Sequence, residues 1–238
     1  MKILSIDVGG TNVKIKASDQ NEVRRFPSGK ELTAHGMVHG VQELAKGWSY
    51  DVVTVGYPGP VAHDKILKEP VNLGTGWTEI NFAAEFGKPT KLINDAAMQA
   101  LGSYEGGRML FLGLGTGLGN ALIIDNIIAP MELGHLHFKK KKSFEDFVGE
   151  RGRKRLGNKK WQEAVFEVVR ILKAALIADY VVLGGGNAKK LTQIPVGCRV
   201  GNNENAFIGG FRLWQDQDKK SPSGGGDSIE SLVLTPRA

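Results

Sequence analysis

Asp7-Val8-Gly9-Gly10-Thr11-Asn12 and, much later in the chain, Leu114-Gly115-Thr116-Gly117-Leu118-Gly119 each set a Gly-Thr corner between two runs of strand-forming residues. Such a turn offers exposed N–H groups and a hydroxyl, and glycine permits positive φ and close approach, so the chemistry it suits is binding phosphate oxygens. One glycine turn is a weak signal, because many hairpins end in glycine. Two with the same chemistry imply duplicated halves gripping one phosphorylated ligand from opposite sides. Asp95, which follows Leu92-Ile93-Asn94 and precedes Ala96-Ala97, offers that phosphate a reacting partner. It can cap the helix that starts there. It can also be the general base that takes the proton of a hydroxyl attacking a phosphoryl group, with Asn94 beside it as a hydroxyl partner. A phosphate site implies a nucleophile to be placed, so the two turns tip the reading of Asp95 toward catalysis.

Glu132-Leu133-Gly134-His135 is a second polar cluster. It is either a surface turn or an acceptor and a switchable donor for vicinal hydroxyls. No Cys or His cluster surrounds His135 and His137, so a metal role for them is not expected. Asp7 can cap its turn or help hold a hydrated Mg²⁺ that bridges phosphates. Lys14 can reach a phosphate or alternate outward on its strand, the outward placement being slightly favoured. Gly184-Gly185-Gly186 closes a strand and could receive a nucleotide base or sugar against bare backbone. Neither a P-loop nor the dinucleotide-binding fingerprint is present.

The elements that must position these residues follow from the apolar pattern. Residues 3–6 and 13–16 flank the first turn, and 109–112 and 121–124 flank the second. A third strand is expected over 22–26. Met37, Val38, Val41, Leu44 and Ala45 predict a helix within 32–46. Residues 51–56 read as a buried strand, closed by Tyr57-Pro58-Gly59-Pro60. A loop over 72–77, a short helix at 81–86 and a strand at 91–93 lead to Asp95 and a helix over 96–104. Beyond the second hairpin, helices are expected at 143–148 and 159–178, a strand at 180–183, and a further helix after Gly184-Gly185-Gly186. Alternating strands and helices predict two α/β lobes, with the polar residues past the strand ends lining the crevice. The first lobe is expected to span 1–105 and the second 106–214. Residues 215–238 lose the apolar pattern and read as a flexible tail.

The 238 residues, 41% of them hydrophobic, can build a sizeable core. No run approaches the ~20 apolar residues of a membrane span, and Met1-Lys2-Ile3 leads into a strand rather than a signal peptide. A cytoplasmic location without a membrane partner is therefore expected. The single cysteine, Cys198, argues against disulfides and a cysteine-rich zinc site. The formal charge of +6 is concentrated: residues 139–160 hold ten Lys or Arg against three acids, so the rest of the chain is slightly acidic. That run reads as a solvated face or as a landing surface for a polyanion. Nucleic acid is the weaker candidate, because Phe144, Phe147 and Trp161 have the spacing of core residues and no recognised nucleic-acid module appears.

In chain order, IDVGGTNVK, GYPGPV, LINDA, LGLGTGLGNALI, ELGH and YVVLGGGNAKK resemble the motif series of the ROK family of sugar kinases, over roughly residues 2–214. Within the family they are most similar to the polyphosphate glucokinases. The resemblance implies an α/β actin-like ATPase (ribonuclease H-like) fold with two lobes and a central cleft. It implies phosphoryl transfer from polyphosphate or ATP to the 6-hydroxyl of glucose. Asp95 would be the catalytic base, and Asn94, Asp95, Glu132, His135 and Glu145 would bind the sugar, with Asn72 as a further ligand. Gly9, Gly10, Thr11, Lys14, Gly115, Thr116 and Gly117 would hold donor phosphates. Gly184, Gly185 and Gly186 would line the adenosine side, and Asp7 would position Mg²⁺ through water. Many family members carry a zinc-binding Cys cluster after the Glu-x-Gly-His motif. Lys139 to Lys142 stand there in this chain, so zinc is not expected. Polyphosphate could track along Lys139 to Lys142 and Arg151 to Arg155. The family's regulators carry an N-terminal DNA-binding domain, for which a hairpin beginning near residue 2 leaves no room. A non-catalytic sugar sensor, or a kinase for another hexose or N-acetylhexosamine, are the alternative readings. A homodimer is the expected assembly.

Overall fold

A computed structural model describes residues 1–202 and 204–215. The expectation for 215–238 therefore lies outside the described residues, except at Gln215, which closes a helix.

The first sheet holds β1 (Ile3–Val8), β2 (Asn12–Ala17), β3 (Arg24–Pro27), β4 (Val52–Tyr57) and β7 (Thr90–Asn94), in the order β3-β2-β1-β4-β7. Alternation along β1 sends Leu4, Ile6 and Val8 into a core shared with α1 (Ala34–Leu44) and α2 (Phe82–Phe86). A small ribbon, β5 (Val61–Ala62) with β6 (Lys65–Ile66), follows β4. The second sheet holds β8 (Arg108–Leu114), β9 (Leu118–Ile124), β10 (Ile127–Met131), β13 (Tyr180–Gly184) and β14 (Cys198–Val200), in the order β10-β9-β8-β13-β14. Between β10 and β13 come a short ribbon, β11 (His137–Lys139) with β12 (Lys142–Ser143), then α4 (Phe144–Val148) and α5 (Glu150–Ala175). Val148, Trp161, Val165, Val168 and Leu172 pack α4 and α5 against one face of this sheet.

Its other face packs on α3 (Asp95–Ser103), where Ala97, Met98 and Leu101 meet Met109, Phe111, Ala121 and Ile123. The last helix, α6 (Asn205–Gln215), returns to the first sheet. There the Thr54 hydroxyl donates to the Gly210 carbonyl at 2.8 Å and accepts from Trp214 Nε1 at 2.9 Å. Helices α3 and α6 thus lie between the sheets, and they meet through glycine backbone. A Cβ on Gly102 would fall 1.8 Å from the Asn205 carbonyl, and one on Gly209 1.8 Å from that of Met98. The result is two α/β lobes facing each other, as expected.

Three local expectations are corrected. The segment after Gly186 forms only a 3-10 turn at Ala188–Lys190 instead of a helix, because the chain must return at once as β14, parallel to β13. Helix α5 starts at Glu150 instead of 159 and is broken at Gly157, whose φ is 75° and ψ 161°. Strands β10 and β14 and helix α6 were not anticipated. Among the described residues, no helix is long and apolar enough to cross a membrane.

Candidate active site

In both glycine turns the carbonyls are tied back while adjacent N–H groups stay free. At the first, Gly9 O accepts from the Ser28 hydroxyl at 2.6 Å, Thr11 O from Ser28 N at 3.0 Å, and Asn12 O from Gly9 N at 3.0 Å. At the second, Glu150 N donates to Gly115 O at 2.9 Å and to Thr116 O at 3.3 Å, and Asn187 Nδ2 donates to Gly115 O at 3.2 Å. The N–H groups of Gly10 and Thr11, and of Thr116 and Gly117, have no partner among the described residues. Consecutive free N–H groups with their acceptors turned away form an anion cradle. The expectation of positive φ is corrected: none of Gly9, Gly10, Gly115 and Gly117 has left-handed backbone. Glycine serves close approach here, most clearly at Gly117, where a Cβ would lie 2.5 Å from Glu145 Oε2.

Strand β7 runs into α3 without a loop. Asn94 caps that helix, its Oδ1 accepting from Ala97 N at 3.1 Å and its Nδ2 donating to Gly59 O at 3.0 Å. Capping therefore falls to Asn94 and not to Asp95, which is the first helical residue and accepts from Ala96 N at 2.7 Å. Burial pushes the Asp95 carboxyl up to about 7, with the Asp7 and Glu132 carboxylates adding to the push and the Ala96 N–H opposing it. The lobes converge at this point, since a Cβ on Gly119 of β9 would come within 2.8 Å of the Ala96 methyl. Asp7 and Lys14 are cross-strand partners, and Lys14 Nζ lies 3.2 Å from Asp7 Oδ2. Lys14 thus pairs with Asp7 on the face of β2 opposite to buried Val13 and Ile15.

Glu132, His135 and Glu145 gather beside the second turn. Buried Asn120 accepts from Leu133 N at 3.2 Å and so fixes the 3-10 turn Leu133–His135. His135 Nε2 is 3.5 Å from Glu132 Oε2, and its Nδ1 is 3.8 Å from Glu145 Oε1. A capping box between Ser143 and Asp146 starts α4 and presents Glu145. Arg151 stands 4.0 Å from Glu145 and 3.9 Å from Asp146. Asn72 lies apart from this cluster, exposed and beside Gly10 of the first turn. Gly184 is buried against the Phe111 ring and Gly185, at φ 79°, lies on the Leu114 carbonyl, so of the three only Gly186 is exposed next to the second turn.

The basic run divides. Lys139 pairs with Glu167, and Arg153 with Glu150, whose carboxyl its hydrogen bonds hold down to about 2. Lys140 and Lys141 form the β11–β12 turn with φ of 50° and 56° and make no ion pair among the described residues. Ser28, Asn120, Glu150 and Asn187 were missed as site residues. Asn120 alone left a trace, as a polar residue inside an apolar strand.

Two facing α/β lobes, each with a phosphate-type turn, and a carboxylate at the helix start between them define the actin-like ATPase architecture. The chain belongs to the ROK family, whose model matches residues 3–152. The polyphosphate glucokinase of Mycobacterium tuberculosis (strain ATCC 25177 / H37Ra) is 26% identical over an alignment of 206 residues, which covers 78% of this chain and 77% of that protein. The inorganic polyphosphate/ATP-glucomannokinase from Arthrobacter sp. strain KM superposes with a TM-score of 0.77 at 24% identity, covering 91% of this chain and 99% of that one. A ROK family glucokinase from Streptomyces griseus, in complex with glucose and AMPPNP, gives 0.71 at 15% identity, covering 91% and 100%. At such identities the structural likeness establishes the fold.

Proposed function

We propose that the protein transfers a phosphoryl group from polyphosphate, ATP or both to the 6-hydroxyl of glucose, with Asp95 as the general base. That it is a sugar phosphotransferase rests on its family and on its similarity to polyphosphate glucokinases. The observation that carries the finer reading is Asp95 itself, a carboxyl pushed up to about 7 where the two lobes meet. A base poised near the working pH combines the right protonation state with driving force for proton transfer. Asn94, Glu132, His135 and Glu145 hold sugar hydroxyls, with Asn72 at the first turn. The free N–H groups of Gly10, Thr11, Thr116 and Gly117 stabilise charge on the transferring phosphate.

Mg²⁺ fits the residues present. Lys14 engages one Asp7 oxygen at 3.2 Å and leaves the other available, and no cluster of three or more His, Cys, Asp or Glu competes for a metal among the described residues. A single carboxylate suits an ion that keeps its waters and binds chiefly to phosphate. When bound, the ion would neutralise donor charge. For a nucleotide donor, Gly186 provides open backbone beside the second turn. For a polymer donor, Lys140 and Lys141 provide uncommitted cations.

The test is a matrix of glucose, fructose and N-acetylmannosamine against ATP and polyphosphate, with and without Mg²⁺, read as sugar 6-phosphate. Glucose with at least one donor should dominate, and no product in any cell would sink the proposal. Lys140→Glu with Lys141→Glu should weaken polyphosphate-dependent turnover, more so at low salt, and spare ATP. Equal loss with both donors would remove the lysine turn from the polymer path.

A further inference from the structure

Helix α3 carries Asp95 at its first position, and its other end is gripped by two arginines that reach it from different sheets. Arg212, on α6, donates from one guanidinium nitrogen to the Leu101 carbonyl at 2.6 Å and to the Tyr104 carbonyl at 3.0 Å. Helix α6 is itself fastened to the first sheet, through Thr54 and through Lys91, whose Nζ donates to the Leu213 carbonyl at 2.6 Å. Arg199, on β14 of the second sheet, donates to the Ser103 carbonyl and is steadied by Glu105 at 3.1 Å and by the Tyr180 ring. The last carbonyls of a helix have no partner within it, and cations favour that end. A cap needs only one of these side chains. Two, anchored on opposite sheets, also fix where the helix lies between the lobes.

We propose that Arg212 is a positioning residue for phosphoryl transfer: it ties the C-terminal end of α3 to the first lobe, as Arg199 ties it to the second, and so keeps the Asp95 carboxylate aligned with the attacking hydroxyl. The inference rests on the reading of Asp95 as the general base. The nine residues of α3 form a rod of ~13 Å, so a tilt or slide at Ser103 is passed to Asp95. Arg212 stands at the end of that rod remote from the reacting groups and acts only through it. A displacement of ~1 Å caused by a distant change can cost ~10²-fold in rate. Beside Arg212 lies a cavity of about 390 Å³, also lined by Leu101, Tyr104, Glu105 and Asn126, and the last two of these are exposed. Truncating the arginine therefore opens a space that a small planar cation can enter from solvent.

Steady-state kinetics on Arg212→Ala, Arg212→Lys, Asp95→Asn and the double variant Asp95→Asn with Arg212→Ala test this. Arg212→Ala should lower kcat about ten- to a hundred-fold, while glucose affinity, read by calorimetry, stays close to that of the wild type. Arg212→Lys keeps a cation at the helix end without the planar fork and should fall between the two. Guanidinium at low millimolar concentration should restore turnover to Arg212→Ala, and potassium chloride of equal ionic strength should not, which separates a displaced carboxylate from a misfolded protein. Sites this far apart act independently by default. If Arg212 works through Asp95, however, Arg212→Ala should remove little further turnover once Asp95→Asn is in place. The proposal is overturned by an unchanged kcat in Arg212→Ala, by a loss as large in the Asp95→Asn background as in the wild type, or by a guanidinium effect no greater than that of the salt. Near-normal turnover in Asp95→Asn alone is a different result: it would sink the base assignment, and this proposal with it.

Discussion

Ser28 fastens the first glycine turn from within its own sheet, whereas the second turn is held by groups from distant parts of the chain: Glu150 at the start of α5 and Asn187 after β13. The second turn also touches Glu145 through Gly117, while the first meets only Asn72 beside Gly10. Turns of like sequence therefore have unlike dependence. The first can form once β1, β2 and β3 pair. The second keeps its N–H groups outward only when α4, α5 and the Gly184–Gly186 segment are docked, and it shares a wall with the sugar-side carboxylates. Disturbing the second should register strongly on both substrates, and disturbing the first chiefly on the donor, because only Asn72 links it to the sugar side.

Asp95 lies between the turns and should serve both equally, so its loss gives the largest effect. Asp95→Asn is expected to lower turnover by ~10²–10⁴-fold while glucose binding, read by calorimetry, stays close to normal. Since the base must be deprotonated to act, kcat/KM of the wild type should climb through about pH 7 and flatten above it. That limb should be missing in the variant. The stability sign runs the other way. A carboxyl raised from 3.8 to about 7 stabilises the folded state below about pH 4, and this contribution is lost as pH rises toward 7. Asp95→Asn, which mimics the protonated form, should therefore melt above the wild type at pH 8 and lose that advantage near pH 4. Near-normal turnover would remove Asp95 from the mechanism.

The next effect separates the turns directly. A methyl on Gly117 would stand 2.5 Å from Glu145 Oε2, so Gly117→Ala must displace that carboxylate, whereas one on Gly10 would lie an ordinary 3.7 Å from Asn72 Cβ. Gly117→Ala is expected to raise the KM of glucose about tenfold, the equivalent of ~1.4 kcal/mol, together with that of the donor. Gly10→Ala should change the glucose value little. Initial rates with each substrate varied in turn decide it, and an equal glucose penalty in both variants would erase the contrast.

The same division between local and distant support explains what could be read from the residues alone. Both hairpins, the helix after Asn94 and the core strands carry their signal within a few neighbouring residues. Helix α6 does not: Gly209 and Gly210 sit in its middle, each weakening a helix by up to ~1 kcal/mol. It stands because those glycines admit Met98 of α3 and Ser5 of β1, a Cβ on Gly210 falling 2.1 Å from Ser5 Oγ. Strand β10 carries Pro130 at a sheet edge, where the missing N–H is harmless but the pattern is spoiled. The start of α5 lacks apolar spacing because its residues face charge partners, Glu150 meeting Arg153 and Lys154. In the site, Asp95 and Glu132 were legible as polar groups past strand ends, whereas Glu145, inside α4, was reached only through the family resemblance. Ser28 and Asn187 were not, because each acts on turn carbonyls that come near only in the folded chain.

Ser28 gives the smallest and most specific test of the contrast. Ser28→Ala removes the 2.6 Å hydrogen bond to Gly9 O but leaves the Ser28 N–H on Thr11 O, so the turn loosens on one side only. A single such bond has a net worth of ~0.5–1.5 kcal/mol, which limits the rise in donor KM to several-fold. The rise should be the same for ATP and polyphosphate, because the free N–H groups of Gly10 and Thr11 meet a phosphate in either case. Glucose KM should not move, since no sugar-side carboxylate touches this turn, and a short stopped-rate series at saturating donor measures it. A glucose KM that rises in step with the donor KM would mean that the first turn is coupled across the cleft as the second is, and the distinction between a locally held and a remotely held cradle would fail.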